Sequence, residues 1–483
     1  MSGALGSLIT TALLLAPPGA AGAADVPARL DSLLTVYHSM GQLNGVVLIA
    51  RDGRVLLRKG YGKADLEWDL ASTPDARFRI GSITKTFTAA LVLQLVQEGR
   101  LSLDATLAAV LPWYRKDTGG RITLRNLLHH TSGLPNYLSH PGAAATRGAP
   151  MPAEEFVTRF CSGDLEFEPG AKFRYSNTGY CVLGAVIEKV TGERYDAVLR
   201  ERILEPLGMR DTGLDTLARV LPKRVPGYVR GPAGLANAPA YDVGLFFSAG
   251  GMYSTVDDLL RWNEALLGDR VLGREARDTL YSAGRGDYGC GWFVKRQPVG
   301  PGREPRTVVS HGGAVPGFNG LLRRVPEDRI AIVMLTNMGG TRLEAISNGV
   351  LDILYGRPPA PPRAPLNELL AKTLDEKGVP AAVALYHDLK ANDYDSFDFE
   401  EDRLLELGYR LLGAGRAEQA AAIMGLVVES FPESWNAWDS QGEAQLAAGR
   451  KDEALASYRR SLELNPKNEG GAKQIEKLTG KKP

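Results

Sequence analysis

Beyond residue 400 the chain repeats itself. Gly408 recurs as Gly442, Gly415 as Gly449, Ala420 as Ala454 and Pro432 as Pro466, each 34 residues further on. A fixed period in this range marks stacked helical pairs, none of which buries its apolar face without a neighbour. Two units are clear, and because stability needs about three, a helix over 381–389 is expected to serve as a degenerate first unit.

With Tyr458, Leu462 and Asn465-Pro466 closing the second unit, this region resembles the tetratricopeptide repeat. A concave peptide-binding groove or a stabilising appendage would both suit it, so a protein partner is one reading of the repeats. Five prolines in 356–365 favour extended backbone over helix or sheet, which places a linker there and the repeats at 366–483.

At the other end, the apolar stretch 8–16, Pro17-Pro18 and Ala21-Gly22-Ala23 read as an export signal over 1–23, although no Lys or Arg precedes Arg29. A secreted or periplasmic protein is the expectation. No later stretch is long and apolar enough to span a bilayer. Charge is balanced, 57 basic against 56 acidic residues, which gives no reason to expect nucleic acid or a membrane surface as partner. Cys161, Cys181 and Cys290 are too few and too scattered for a disulfide framework or a metal site.

Between these ends, 44–50 and 54–59 are β-rich runs around Arg51-Asp52-Gly53, a hairpin signature. From Ser82 the spacing turns helical through Phe87, Leu91 and Leu95, and Gly99 supplies a stop. Strands are expected at 306–311, 318–324 and 329–335, followed by a helix near 344–354. The pattern predicts an α+β domain in which an antiparallel sheet joins both ends of the segment, with helices between them. An all-α repeat domain follows.

Ser82-Ile83-Thr84-Lys85 sets a hydroxyl and an amine three residues apart on one helix face. A lysine whose pKa is lowered can take the serine proton, and the helix N-terminus favours developing negative charge. Alone the pattern is commonplace. Tyr175-Ser176-Asn177 adds a phenol and an amide, and His311-Gly312-Gly313 adds a strand edge where Ala314 can donate an N–H. His129-His130 reads as structural rather than metal-binding, since adjacent side chains diverge and no carboxylate sits at ligand spacing. Asp257-Asp258 reads as the acidic first turn of a capped helix. No G-x-S-x-G elbow is present for a Ser-His-Asp scheme.

Together with Phe78-Arg79-Ile80-Gly81, the segment from Leu127 to Leu134, Leu204-Glu205-Pro206-Leu207-Gly208-Met209 and Ser248-Ala249-Gly250-Gly251-Met252, these motifs resemble the serine β-lactamase and penicillin-binding-protein-like family. The likeness is to its class C β-lactamase, D-alanyl-D-alanine carboxypeptidase and esterase branch; it spans about 28–355 and implies an antiparallel sheet with flanking helices and a helical subdomain. It implies Ser82 as the acylated nucleophile, Lys85 as its activator and Tyr175 as the proton shuttle, with the choice of base between the last two open. It further implies an oxyanion hole from the backbone N–H groups of Ser82 and Ala314, a substrate-positioning Asn177, and no metal or cofactor.

The resemblance departs at the third motif, where β-lactamases usually carry K-T-G. An imidazole at His311 is a weaker partner for a carboxylate than an ammonium, and Gly312 has no hydroxyl. The expectation is therefore hydrolysis of an ester or peptide, with small D-amino-acid peptides or short-chain esters as candidates and at most weak β-lactamase activity. The alternative from another class is a catalytically silent sensor whose repeats dock a partner protein.

Overall fold

The computed structural model describes residues 25–145, 151–231, 234–240 and 242–481. The expected export signal lies outside the described residues. Strand β1 (Gly45–Arg51) and strand β2 (Arg54–Tyr61) form the expected hairpin, turned by Asp52 and Gly53, both at positive φ. Asp-Gly suits such a turn because it matches the twist of the strands it joins. Strands β3 (Phe293–Gln297), β4 (Arg306–Val315), β5 (Phe318–Val325) and β6 (Ile330–Thr336) complete a six-stranded antiparallel sheet in the order β3-β4-β5-β6-β1-β2. The β1–β6 pairing joins the two ends of the segment, with Leu48 opposite Val333.

Every residue of β1 except Arg51 is buried, which requires cover on both faces. Alternation supplies it. Val47 and Ile49 face a cluster with Leu30, Leu33 and Leu34 of helix α1 (Val26–Ser39). Val46 and Leu48 face the larger cluster with Phe87, Leu91 and Leu95 of helix α2 (Thr84–Gln97). Since α2 is sheathed by protein almost all round, its threonines turn back on the backbone: Thr84 Oγ1 donates to Gly81 O at 2.7 Å and Thr86 Oγ1 to Ile83 O at 2.8 Å.

Helix α3 (Asn177–Thr191) and helix α4 (Val256–Ala265) pack in that larger core. Asp258 lies in the first turn of α4 and accepts from Thr212 Oγ1 and the Asp211 N–H, both at 2.8 Å, while Asp257 pairs with Arg58. Both carboxylates are structural, as the sequence suggests. The three cysteines are buried free thiols. Helix α5 (Leu343–Leu354) covers the α1 face of the sheet.

Residues 357–363 adopt neither helix nor strand. Helix α6 (Leu366–Asn392) breaks at Gly378, where φ is 78° just ahead of Pro380, so its second half supplies the helix expected over 381–389. Helices α7 (Glu401–Gly413), α8 (Ala417–Ser430), α9 (Trp435–Ala447) and α10 (Lys451–Leu464) form the two repeat units, and α11 (Glu469–Thr479) follows. The recurring glycines let paired helices approach: a Cβ on Gly408 would lie 2.7 Å from Met424, and one on Gly442 2.9 Å from the Tyr458 ring.

Two elements escape the sequence reading. Helix α1 lies beyond the 1–23 leader in a stretch to which the sequence reading assigns no element, although Leu30, Leu33, Leu34 and Tyr37 have helical spacing. Strand β3, Phe-Val-Lys-Arg-Gln, is a half-exposed sheet edge too short and too charged to signal itself.

Candidate active site

Ser82 sits in a tight turn, Gly81–Ile83, that leads straight into α2. Gly81 has φ of 50°, and a Cβ on it would fall 2.8 Å from the Ala314 backbone nitrogen. Across the gap, a Cβ on Gly313 would strike Ile80 O at 1.9 Å and stand 3.3 Å from the Ser82 nitrogen. Two glycines, one on each segment, thus let the head of α2 press against β4 and bring the Ser82 and Ala314 amides side by side. Strand β3 pairs with β4 only through 306–310. Residues 311–315 therefore present an edge that no described strand covers.

Lys85 is fully buried, and its Nζ donates to Ser82 Oγ at 3.0 Å, Asn177 Oδ1 at 2.7 Å and Ala249 O at 2.7 Å. Loss of hydration pulls its pKa down to about 7. Cys181 nearby acts the other way, more weakly, and a value near 7 leaves both amine and ammonium accessible around neutrality. Burial pushes the Tyr175 phenol well above its ordinary range, against the smaller effect of its hydrogen bond with Ser82. The Lys85 ammonium is 5.0 Å from the Tyr175 ring centroid.

His311 is 2% exposed, and desolvation, with Lys85 nearby, lowers its pKa to about 3, which keeps it neutral. Nδ1 lies 2.6 Å from Gly312 O, which only an N–H can satisfy. Nε2 is then the acceptor for the Tyr288 hydroxyl at 3.0 Å. Both ring nitrogens are engaged within the protein, so His311 brings no positive charge to a substrate carboxylate.

Ser82, Tyr175, Asn177, His311, Gly313 and Ala314 all line one cavity of about 820 Å³, with Lys85 beneath its floor. The catalytic and substrate-positioning candidates of the three motifs therefore lie in one place. Two residues support the site: His130, read as structural in the sequence, and Tyr288, which the sequence reading does not mention. His130, at φ 56°, accepts the Ser176 N–H on Nδ1 at 3.2 Å, takes the Arg174 N–H on its carbonyl at 2.9 Å, and packs 4.2 Å from the Tyr175 ring. It holds the backbone on both sides of Tyr175. Tyr288 anchors His311 and lies 4.6 Å from the His130 ring. Only its aromatic character, common in any core, could have marked Tyr288. His129 meets Tyr288 O at 3.1 Å and Cys290 Sγ at 3.6 Å. Among the described residues, no three His, Cys, Asp or Glu side chains stand together as a metal site.

A helix-flanked antiparallel sheet, with serine and lysine at the head of a buried central helix, defines a protein of the β-lactamase/transpeptidase-like fold. The Beta-lactamase family model matches residues 30–355, and the chain belongs to that family; residues 405–469 match the tetratricopeptide repeat model. The chain is 28% identical over 362 residues to Penicillin-binding protein 4* of Bacillus subtilis (strain 168), covering 70% of this chain and 78% of that protein. Protein Flp of Staphylococcus aureus (strain MW2) is also 28% identical, over 65% of this chain and 64% of its own length, so just under two thirds of Flp is spanned. In a solved structure, D-amino acid amidase from Ochrobactrum anthropi SV3 complexed with L-phenylalanine aligns with a TM-score of 0.58 at 27% identity, covering 69% of this chain and 97% of that one.

Proposed function

We propose that the protein is an exported serine hydrolase that cleaves an ester or a small peptide or amide through an acyl-Ser82 intermediate. The observation that carries this reading is the fully buried Lys85 amine 3.0 Å from Ser82 Oγ, since a serine hydroxyl becomes nucleophilic when a neighbouring base takes its proton. Of the two candidate bases, Lys85 is favoured: burial lowers the cost of its neutral form, whereas burial of Tyr175 keeps the phenol protonated.

In the proposed sequence, Lys85 takes the Ser82 proton as Oγ adds to the substrate carbonyl. The Ser82 and Ala314 N–H groups stabilise the oxyanion, and the Asn177 side-chain amide orients the acyl part. Collapse breaks the bond to the leaving group. Tyr175 gives that group its proton and is reprotonated from the Lys85 ammonium. Water then attacks the acyl-enzyme and yields its proton by the reverse relay, and Ser82 leaves with a proton as the acid is released.

A neutral His311 and the absence of a hydroxyl at Gly312 support esters and D-amino-acid amides or peptides over β-lactams. The likeness to a D-amino acid amidase points the same way. A silent sensor has no chemical need for Ser82, Lys85 and Tyr175 in this arrangement. The test is turnover of a short-chain p-nitrophenyl ester and of a D-phenylalanine amide by the wild-type chain and by Ser82→Ala. Hydrolysis that depends on Ser82 is expected, and turnover unchanged by the substitution would sink the proposal.

A further inference from the structure

Arg342 belongs to two cavities at once. It lines the active-site cavity together with Ser82 and Ala314. It also lines a second cavity, of about 720 Å³, between the catalytic region and the helical region, across from Glu368, Glu400 and Glu406. Its guanidinium is committed to the helical side: it is hydrogen-bonded to Glu400, with Asp398 at 3.9 Å and Asp402 at 3.8 Å. These three carboxylates lie around the start of α7, the first helix of the repeat units.

The short loop carrying Arg342 is also fastened to the catalytic strands. The Thr341 N–H donates to Asn319 Oδ1 at 3.2 Å, and Asn319 stands opposite Ala314 in the β4–β5 register. The other charged side chains along the active-site cavity, Lys295 and Glu344, are of opposite sign. With Arg342 neutralised from behind, the cavity wall carries little net charge. A freed Arg342 would give it a cation able to form paired hydrogen bonds with a carboxylate.

We propose that the helical domain sets the substrate preference of the active site by withholding Arg342 from it. While Glu400, Asp398 and Asp402 hold the guanidinium, the cavity suits acyl donors with uncharged leaving groups. When that hold is released, it accepts leaving groups that bear a carboxylate. Glu400 and Asp402 are exposed, and ion pairs to such side chains are individually weak, so a competing acidic ligand or a partner on the helical domain can break them. Arg342 is thus a specificity-determining residue under the control of the repeats, and its effect on turnover rests on the acyl-Ser82 reading.

The experiment compares phenyl acetate with 3-carboxyphenyl acetate, which share an acyl group, in the full-length chain and in Glu400→Gln/Asp402→Asn. Both side chains are well exposed, 66% and 83%, so the fold should tolerate the changes. The kcat/KM ratio of carboxylated to neutral ester is expected to rise about tenfold in the double variant, chiefly through KM, and to return to the wild-type value when Arg342→Gln is added. An unchanged ratio, or a rise that survives Arg342→Gln, overturns the proposal. Hydrogen exchange at 338–343 provides a readout independent of turnover and is expected to quicken in the double variant. Exchange as slow as wild type overturns the tether even if neither ester is cleaved, an outcome that would separately defeat the hydrolase reading.

Discussion

Around Ser82, removal from water acts on Lys85, Tyr175 and His311 with different chemical results. It makes the amine a usable base, keeps the phenol an acid and leaves the imidazole neutral. The sign for activity follows, because a base must be unprotonated to work. Below about pH 7 Lys85 is increasingly an ammonium, so kcat/KM for a neutral ester should rise with pH through an apparent midpoint near 7, losing about tenfold per unit well below it. His311, neutral above about pH 3, adds no limb in that range. Lys85→Ala should remove the limb and lower kcat/KM by about 10²- to 10⁴-fold, checked by a pH–rate profile. The two glycines of the third motif differ in what they permit. A Cβ at Gly312 meets nothing nearer than Gly320 O at 3.7 Å, whereas one at Gly313 would collide with Ile80 O. Gly312→Thr should therefore fold with a stability change within about 0.5 kcal/mol and add a hydroxyl beside the cavity. Gly313→Ala should cost about 1–3 kcal/mol in denaturant unfolding and displace the Ala314 amide, with activity lost.

At the scale of elements, what the sequence revealed was whatever has a period. The β1–β2 hairpin, the β4–β5–β6 meander and α2 were legible because alternation or helical spacing follows from one buried face or from a continuous core run. So were Ser82, Lys85, Tyr175, Asn177, His311, Gly313 and Ala314, each in a short motif whose chemistry is local. The supports that hold them were not legible. Ala249 O receives Lys85 from 164 residues away, a pairing that the Ser248–Met252 motif does not itself reveal, and Tyr288 reaches His311 from outside every motif. In the repeats, the shared glycine has two partners of unequal stiffness. Gly408→Ala should cost less, about 0–1 kcal/mol, because alanine favours the helix by about 1 kcal/mol and the thioether end of Met424 can turn away, although its Cγ, 2.8 Å from the new Cβ, must also shift. Gly442→Ala faces the buried Tyr458 ring and should destabilise the helical domain by about 1–3 kcal/mol. Thermal unfolding of the two variants checks the difference.

For the whole molecule, the helical domain has an apolar core of its own, built from α6 to α9 and residues such as Leu404, Met424 and Tyr386. Its attachment to the catalytic domain is of another kind. Arg342 meets Glu400 and Arg230 meets Glu368 at 3.4 Å, while the proline-rich segment docks on the helical side through a β-bridge of Ala364 with Phe397. A largely ionic contact beside an active-site wall suits a joint that can be loosened without unfolding either part. None of this has functional meaning unless Ser82 takes up an acyl or equivalent group. The most direct measurement is intact-protein mass spectrometry after exposure to a fluorophosphonate, with peptide mapping of the adduct. A single adduct on Ser82 is predicted, absent from Ser82→Ala and formed far more slowly in Lys85→Ala. A wild-type chain that stays unmodified, or an adduct that persists in Ser82→Ala, would contradict the account.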